Sequence, residues 1–444
     1  MRSFLLLFLS TLAGLVVWTA LVVIGTLDGW WHETLAPEGN ARAFMDASVD
    51  EIDANYNGNV AFVLIQDGQI FDDYFVSVGQ PVDRDTLFQV ASLSKWITAW
   101  GVMALVEEGK LDLDVPVSTY LTRWQLPESE YDNDGVTVRR LLSHTAGLTD
   151  GLGYSGFSPG TDVQGLEDSL ARAADASPGA DGRVRVAHAP GSKWKYSGGG
   201  YTLLQLLIEE ATEETFESYM QRAIFQPLGM SRSTFVIDEN NTSNLASFYD
   251  VDGTQAIHYH FTSLAATSLY TTTSDLTRLI QAHLPGPNGE PAGRGVLKPE
   301  TLRQMREPHA SEWGFAIWGL GTMLYAPNGD DDFVIGHDGD NEPAINTAAR
   351  LNPATGDGIV VLETGNPLLA TTLAGEWVYW QTGKADLLMF AMAKDRMITI
   401  IVVTCPPKTD PVVVRVPMTP GRGQETHNDE AKTTYTRADH QQTS

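Results

Sequence analysis

Cysteine is all but missing from these 444 residues, where Cys405 stands alone. No intrachain disulfide is possible, and a cysteine-based metal cluster is excluded. Basic residues are scarce as well, with 29 Lys and Arg against 56 Asp and Glu, for a formal net charge of -27. A surface of that sign repels phosphate backbones and argues against a nucleic-acid partner. Internal repeats are lacking too, so the chain is not an array of small stacked units. Core-forming residues, by contrast, are plentiful. A hydrophobic share of 43% and 11 Trp are the composition of a folded protein with one large or two ordinary domains.

From Phe4 to Leu27 the chain runs without a charge. As a helix this stretch would be about 36 Å long, enough to cross a bilayer. Arg2 precedes it, and Asp28 and Glu33 follow, with Trp30, Trp31 and His32 placed as interfacial residues. That order predicts an N-in anchor, with the rest of the chain on the periplasmic or extracytoplasmic side. The alternative is a cleaved signal peptide, but the apolar run is long for one and no small-x-small cleavage site follows.

The stretch with chemical content is Phe88 to Ile97, where Ser92 and Lys95 stand three residues apart as an apolar helix begins. One helical turn brings them onto a single face. The run through Trp100, Val102, Met103, Leu105 and Val106 is apolar nearly all round and stops at Gly109, as expected of a buried helix. Burial disfavours an ammonium against the neutral amine, so Lys95 is a candidate to take the Ser92 proton. Taken singly, such a serine is usually a helix cap and such a lysine usually a solvated one.

Around this stretch, a helix is predicted over Ala41 to Tyr56, then a hairpin from Val60–Gln66 through Asp67-Gly68 to Ile70–Val78. Lys110 to Tyr120 reads as a loop, Val136 to Leu142 as a short helix, and Gly151 to Gly191 as a long irregular segment. Gly156-Phe157-Ser158-Pro159-Gly160 matches a nucleophile-elbow pattern, but Pro159 lacks the N–H that an elbow needs after its serine. Helices are expected over Leu203–Glu210, Phe216–Ile224 and from a Thr/Ser cap to Leu284. A strand is expected over Phe315–Leu324, and a second hairpin runs from Ala344–Leu351 through Asp357-Gly358 to Ile359–Leu362. The apolar segment Asp386–Thr404 is broken by Lys394-Asp395-Arg396, which argues against a second membrane crossing, and the tail beyond Cys405 reads as mobile.

Three pieces stand in order: Ser92 to Lys95, Tyr196 to Gly198, and His337 to Gly339. Together they resemble the S-x-x-K, Y-x-N and K-T-G or H-x-G motifs of the serine β-lactamase and penicillin-binding-protein superfamily, nearest its class C β-lactamase-like branch of D-alanyl-D-alanine carboxypeptidases, D-aminopeptidases and esterases. Leu141–Leu148 and Phe225–Met230 are similar to recurrent strings of the same family. The resemblance implies an α+β fold, an antiparallel sheet flanked by helices with a mainly helical subdomain. It implies that Ser92 is acylated, that Lys95 and Tyr196 share its proton, and that His337 lines the same cavity. Ser197, Gly198, Gly339 and Asp340 would border the substrate, the oxyanion resting between the N–H groups of Ser92 and Asp340. No cofactor and no metal are implied, and the substrate would be a small ester or an amide, peptide-like or β-lactam.

Gly198 departs from the family pattern, which most often has asparagine there. Without that side-chain amide, a substrate amide would be left unpaired, so esters and small peptides both stay open as substrates. The competing expectation is an idle binding or scaffold protein that keeps the fold. A metal site on His258-Tyr259-His260 and Asp330-Asp331-Asp332 lacks a third ligand at recognisable spacing. The expected organisation is an anchor at 1–27, a linker at 28–40, a hydrolase domain at 41–383 and an extension at 384–444.

Overall fold

The computed structural model describes residues 2–148, 154–177, 180–237, 244–312, 314–329, 332–342 and 344–386. The sequence expectations for 387–404, for Cys405 and its tail, and for Asp330 and Asp331 lie outside the described residues.

The chain opens with helix α1 (Arg2–Leu27) and α2 (Ala41–Asn55), then the hairpin β1 (Val60–Gln66) and β2 (Gln69–Val76), turning at Asp67 and Gly68. Both turn residues have positive φ, 51° and 72°, the geometry that lets a two-residue turn follow the strand twist. A short strand β3 (Phe88–Gln89) leads through a 3-10 turn at Ala91–Leu93 into α3 (Ser94–Glu107). The helical lobe continues with α4 (Val138–Leu142), α5 (Leu166–Arg172), α6 (Gly198–Thr212), α7 (Phe216–Met220), α8 (Gln226–Leu228) and α9 (Leu264–Thr267). Strand β4 (Tyr270–Thr271), which pairs with β3, precedes α10 (Thr273–Ala282) and α11 (Pro299–Arg306). The chain then returns to the sheet as β5 (Ala310–Glu312), β6 (Phe315–Trp318), β7 (Met323–Pro327), β8 (Phe333–Asn341), β9 (Ile345–Asn352) and β10 (Asp357–Thr364), closing with α12 (Leu369–Thr382).

The eight-stranded sheet is antiparallel throughout, in the order β2-β1-β10-β9-β8-β7-β6-β5, so N- and C-terminal segments share one sheet with the helical lobe inserted between them. Strand β1 shows why the sequence folds this way. Its run Val60 to Ile65 is apolar at every position and alternates between two cores: Val60, Phe62 and Leu64 face Phe44 and Trp377, while Ala61, Val63 and Ile65 face the lobe containing Trp96 and Trp100. A strand covered on both faces needs no polar alternation.

Three local expectations are corrected. Phe315–Leu324 is two strands, because the chain reverses at Gly319–Gly321, where Gly321 has φ 75° and the Gly319 N–H donates to the Thr322 carbonyl. Asp357-Gly358 opens β10 instead of forming the turn. The turn is 353–356, where the Asn352 carbonyl accepts the Gly356 N–H and its Oδ1 takes the Ala354 N–H. Helix α6 begins at Gly198, five residues before Leu203, because the Ser197 hydroxyl caps it by accepting the Gly200 N–H at 2.9 Å.

Helix α1 is, among the described residues, the one helix long and apolar enough to cross a membrane, a test that a signal sequence also passes. Residues 28–40 lie against α12: Tyr379 donates to the Gly29 carbonyl, Trp380 Nε1 to the Pro37 carbonyl, and His32 meets Glu376 at 2.8 Å.

Candidate active site

The site is built where α3 begins beneath the sheet. Ala91, fully buried, is held at φ 46°, a conformation that costs a β-carbon energy and fixes the direction in which the next residue points. That next residue is Ser92. Lys95, one turn on and 2% exposed, directs Nζ to Ser92 Oγ at 3.0 Å and to the Ala266 carbonyl at 2.7 Å. Helix α9 thus aims the amine at the hydroxyl. The same Nζ lies 4.9 Å from the ring centroid of Tyr196 and 5.7 Å from that of Tyr201, so a serine, a lysine and a tyrosine converge.

Strand β8 forms the opposite wall. Gly339 is required there, since a Cβ would fall 2.1 Å from the Val90 carbonyl oxygen and 2.5 Å from Thr347 Oγ1. Thr347 Oγ1 in turn donates to the Val90 carbonyl at 3.0 Å, tying the sheet to the turn that carries Ser92. His337 is buried and bonds Nδ1 to the Asp338 carbonyl at 2.6 Å, which makes Nδ1 the protonated nitrogen. Burial, and then the positive charge of Lys95, push its pKa down to about 3. The Asp338 side chain is turned to a separate cluster, where it accepts from Arg350 at 2.7 Å and from Tyr325 at 2.8 Å. Asp340 continues the strand at the exposed end of the wall.

An aromatic cluster holds Tyr196 in place. The His144 ring lies 4.4 Å from Tyr196, 4.7 Å from Trp318 and 5.3 Å from Tyr201. Its Nδ1 accepts the Ser197 N–H at 3.1 Å, so the imidazole is neutral, and burial with the nearby Lys95 holds its pKa well below the ordinary value. Tyr201 Oη, Trp318 Nε1 and the Gly321 N–H all donate to the Leu142 carbonyl at the end of α4. That carbonyl has no continuing helix to satisfy it, and it joins α6 of the lobe to β6 and the β6–β7 reversal of the sheet instead.

Of the residues singled out from sequence, Ser92, Lys95 and Tyr196 meet, with His337 and Gly339 on the facing wall. Ser197 caps α6 through its hydroxyl. Gly198 opens that helix against Tyr154. The sequence alone does not single out His144, Tyr154, Trp318 or the Ala266 carbonyl; His144 stands in it only as part of the string Leu141–Leu148. The elbow pattern at Ser158 sits on an exposed turn with no strand before it and no helix after it among the described residues. His258 and His260 are 5.0 Å apart, but His258 Nε2 is taken by the Tyr270 hydroxyl and its ring stacks on Phe248.

An antiparallel sheet carrying a helical lobe, with a Ser-x-x-Lys pair where they meet, defines the β-lactamase and penicillin-binding-protein fold class. The family model described as Beta-lactamase matches residues 45–383, and the chain belongs to that family. It is 35% identical over 171 residues to esterase EstB of Burkholderia gladioli, covering 36% of this chain and 41% of that protein. It is 23% identical over 321 residues to protein flp of Staphylococcus aureus, covering 69% of this chain and 59% of that one. The chain therefore spans less than two thirds of either relative. Among solved structures, the octameric penicillin-binding protein homologue from Pyrococcus abyssi is similar in fold, with a TM-score of 0.62, 22% identity, and 80% and 77% of the two chains covered.

Proposed function

We propose that this protein is a serine hydrolase that works through an acyl-enzyme on ester or amide substrates. The observation that carries the reading is Lys95 Nζ, 3.0 Å from Ser92 Oγ and pinned by the Ala266 carbonyl. In the first step Ser92 Oγ attacks the substrate carbonyl carbon while its proton passes to the Lys95 and Tyr196 pair. The carbonyl oxygen takes the negative charge and is stabilised by the N–H groups of Ser92 and Asp340. As the tetrahedral adduct collapses, the carbonyl reforms and the bond to the alcohol or amine breaks. The leaving group receives the stored proton and Ser92 remains as an ester. Water then attacks that ester, giving its proton to the same pair, and the acid departs as Ser92 Oγ is reprotonated. Neutral His337 borders this chemistry without adding a second positive charge beside Lys95.

Helix α1 serves in this reading as an uncleaved anchor that holds the hydrolase domain outside the cytoplasm. Its apolar length and the acidic residues just after it support that placement. A turnover screen over p-nitrophenyl esters, nitrocefin and D-alanyl peptides tests the proposal. Hydrolysis of at least one class that disappears in Ser92→Ala supports it. Absence of Ser92-dependent turnover in every class favours an idle scaffold.

A further inference from the structure

Gly198 leaves room beside the site, and Tyr154 fills it. A Cβ on Gly198 would fall 2.6 Å from Cε2 of the Tyr154 ring, closer than the two groups can coexist. The ring is held there from two directions. Its backbone bridges to Ala176, with the next residue, Ser155, donating its N–H to the Asp175 carbonyl at 2.7 Å, and its hydroxyl meets Thr202 Oγ1 at 2.8 Å. Thr202 lies one turn along α6 from Gly198 and bonds Ser263 Oγ at 2.5 Å, immediately before α9. That helix presents the Ala266 carbonyl to Lys95. One polar chain therefore links the Tyr154 hydroxyl to the element that aims the Lys95 amine, and the ring abuts Gly198, which stands two residues after Tyr196 in the chain.

We infer that Tyr154 is a specificity-determining residue, whose ring gives the site an apolar wall that favours esters with extended apolar acyl groups over amides. The inference rests on the hydrolase reading above. An amide brought against an aromatic ring keeps its N–H unpaired in a desolvated site, whereas an ester has no such donor to satisfy. An alkyl acyl chain gains contact and burial against the same ring. Glycine at 198 is what lets the ring approach.

The test compares kcat/KM for p-nitrophenyl octanoate and p-nitrophenyl acetate in wild type, Tyr154→Ala and Gly198→Ala, with fluorophosphonate labelling of Ser92 reporting an intact site. Removing the ring lowers the octanoate-to-acetate ratio by about tenfold or more. Gly198→Ala, which displaces the ring by its added methyl group, lowers the same ratio, so the prediction stands even where Tyr154→Ala fails to fold. A ratio unchanged in both variants, each still labelling at Ser92, overturns the role of Tyr154 and leaves the hydrolase reading intact. A wild-type protein that cleaves D-alanyl peptides or nitrocefin in a Ser92-dependent way but neither ester overturns the ester preference, and one that neither labels at Ser92 nor turns over any of these substrates overturns the hydrolase reading itself.

Discussion

The imidazole of His144 lies 4.4 Å from the phenol ring of Tyr196, and its Nδ1 accepts the N–H of Ser197, the residue after that tyrosine. One neutral ring thus fixes both the side chain and the backbone of the candidate proton carrier. His144→Phe keeps a ring but leaves the buried Ser197 N–H without its acceptor, which costs about 1–3 kcal/mol of stability. A tyrosine displaced by a fraction of an ångström acts less well on Ser92, so kcat falls by about one to two orders of magnitude with a smaller change in KM. Thermal unfolding together with steady-state kinetics on the preferred ester checks both halves.

Gly339→Ala puts a methyl group where the Val90 carbonyl and Thr347 Oγ1 already stand. Strand β8 can accept it only by moving away from the turn that carries Ser92. The expected outcome is a stability loss of about 1–3 kcal/mol in urea unfolding, with acylation of Ser92 slowed far more than this loss of folded protein explains.

Arg350, with a fully buried side chain, joins Asp338 on β8 to Asp386 and lies 3.8 Å over the Tyr325 ring. Burial raises the pKa of Asp338, and the guanidinium opposes that shift. Arg350→Met leaves carboxyl groups buried without their cation and lowers stability by about 3–5 kcal/mol. Pairing it with Asp338→Asn and Asp386→Asn regains much of that loss. Denaturant midpoints of the single and triple variants measure the difference.

His283 gives a pH dependence with a definite sign. Buried between Trp96 and Trp100, it has its pKa lowered from 6.5 to about 4, first by desolvation. Between those values the unfolded chain binds a proton that the folded chain does not. Its contribution to stability is complete above 6.5 and is lost as pH falls towards 4, at about 1.4 kcal/mol per pH unit. His283→Gln therefore shows a shallower loss of stability across this window than wild type. Equal slopes in paired unfolding titrations contradict the assignment.

Much of this arrangement is written locally in the chain, and the rest is not. The apolar run of β1 and the all-round apolar face of α3 announce buried elements, and the three-residue interval from Ser92 to Lys95 places both on one helical face. The convergence of Tyr196 and His337 on that pair came from the ordered family motifs, because no local spacing relates residues so far apart. His144 under Tyr196, Tyr154 over Gly198 and the Ala266 carbonyl on Lys95 are contacts across long sequence separations, and tertiary packing leaves no periodic trace of such contacts. The strand reading of Phe315–Leu324 failed for a related reason. Apolar residues continue through Gly319-Leu320-Gly321, so hydrophobicity hides a reversal that only the positive φ of Gly321 reveals.

The central claim is that Lys95 makes Ser92 the reactive nucleophile of this fold. Mass-spectrometric mapping of a fluorophosphonate adduct on the full chain measures it directly. The account predicts one adduct on the peptide carrying Ser92, absent in Ser92→Ala and slowed at least about a hundredfold in Lys95→Ala. Labelling at Ser158 instead, or labelling of Ser92 at an undiminished rate without Lys95, would contradict it.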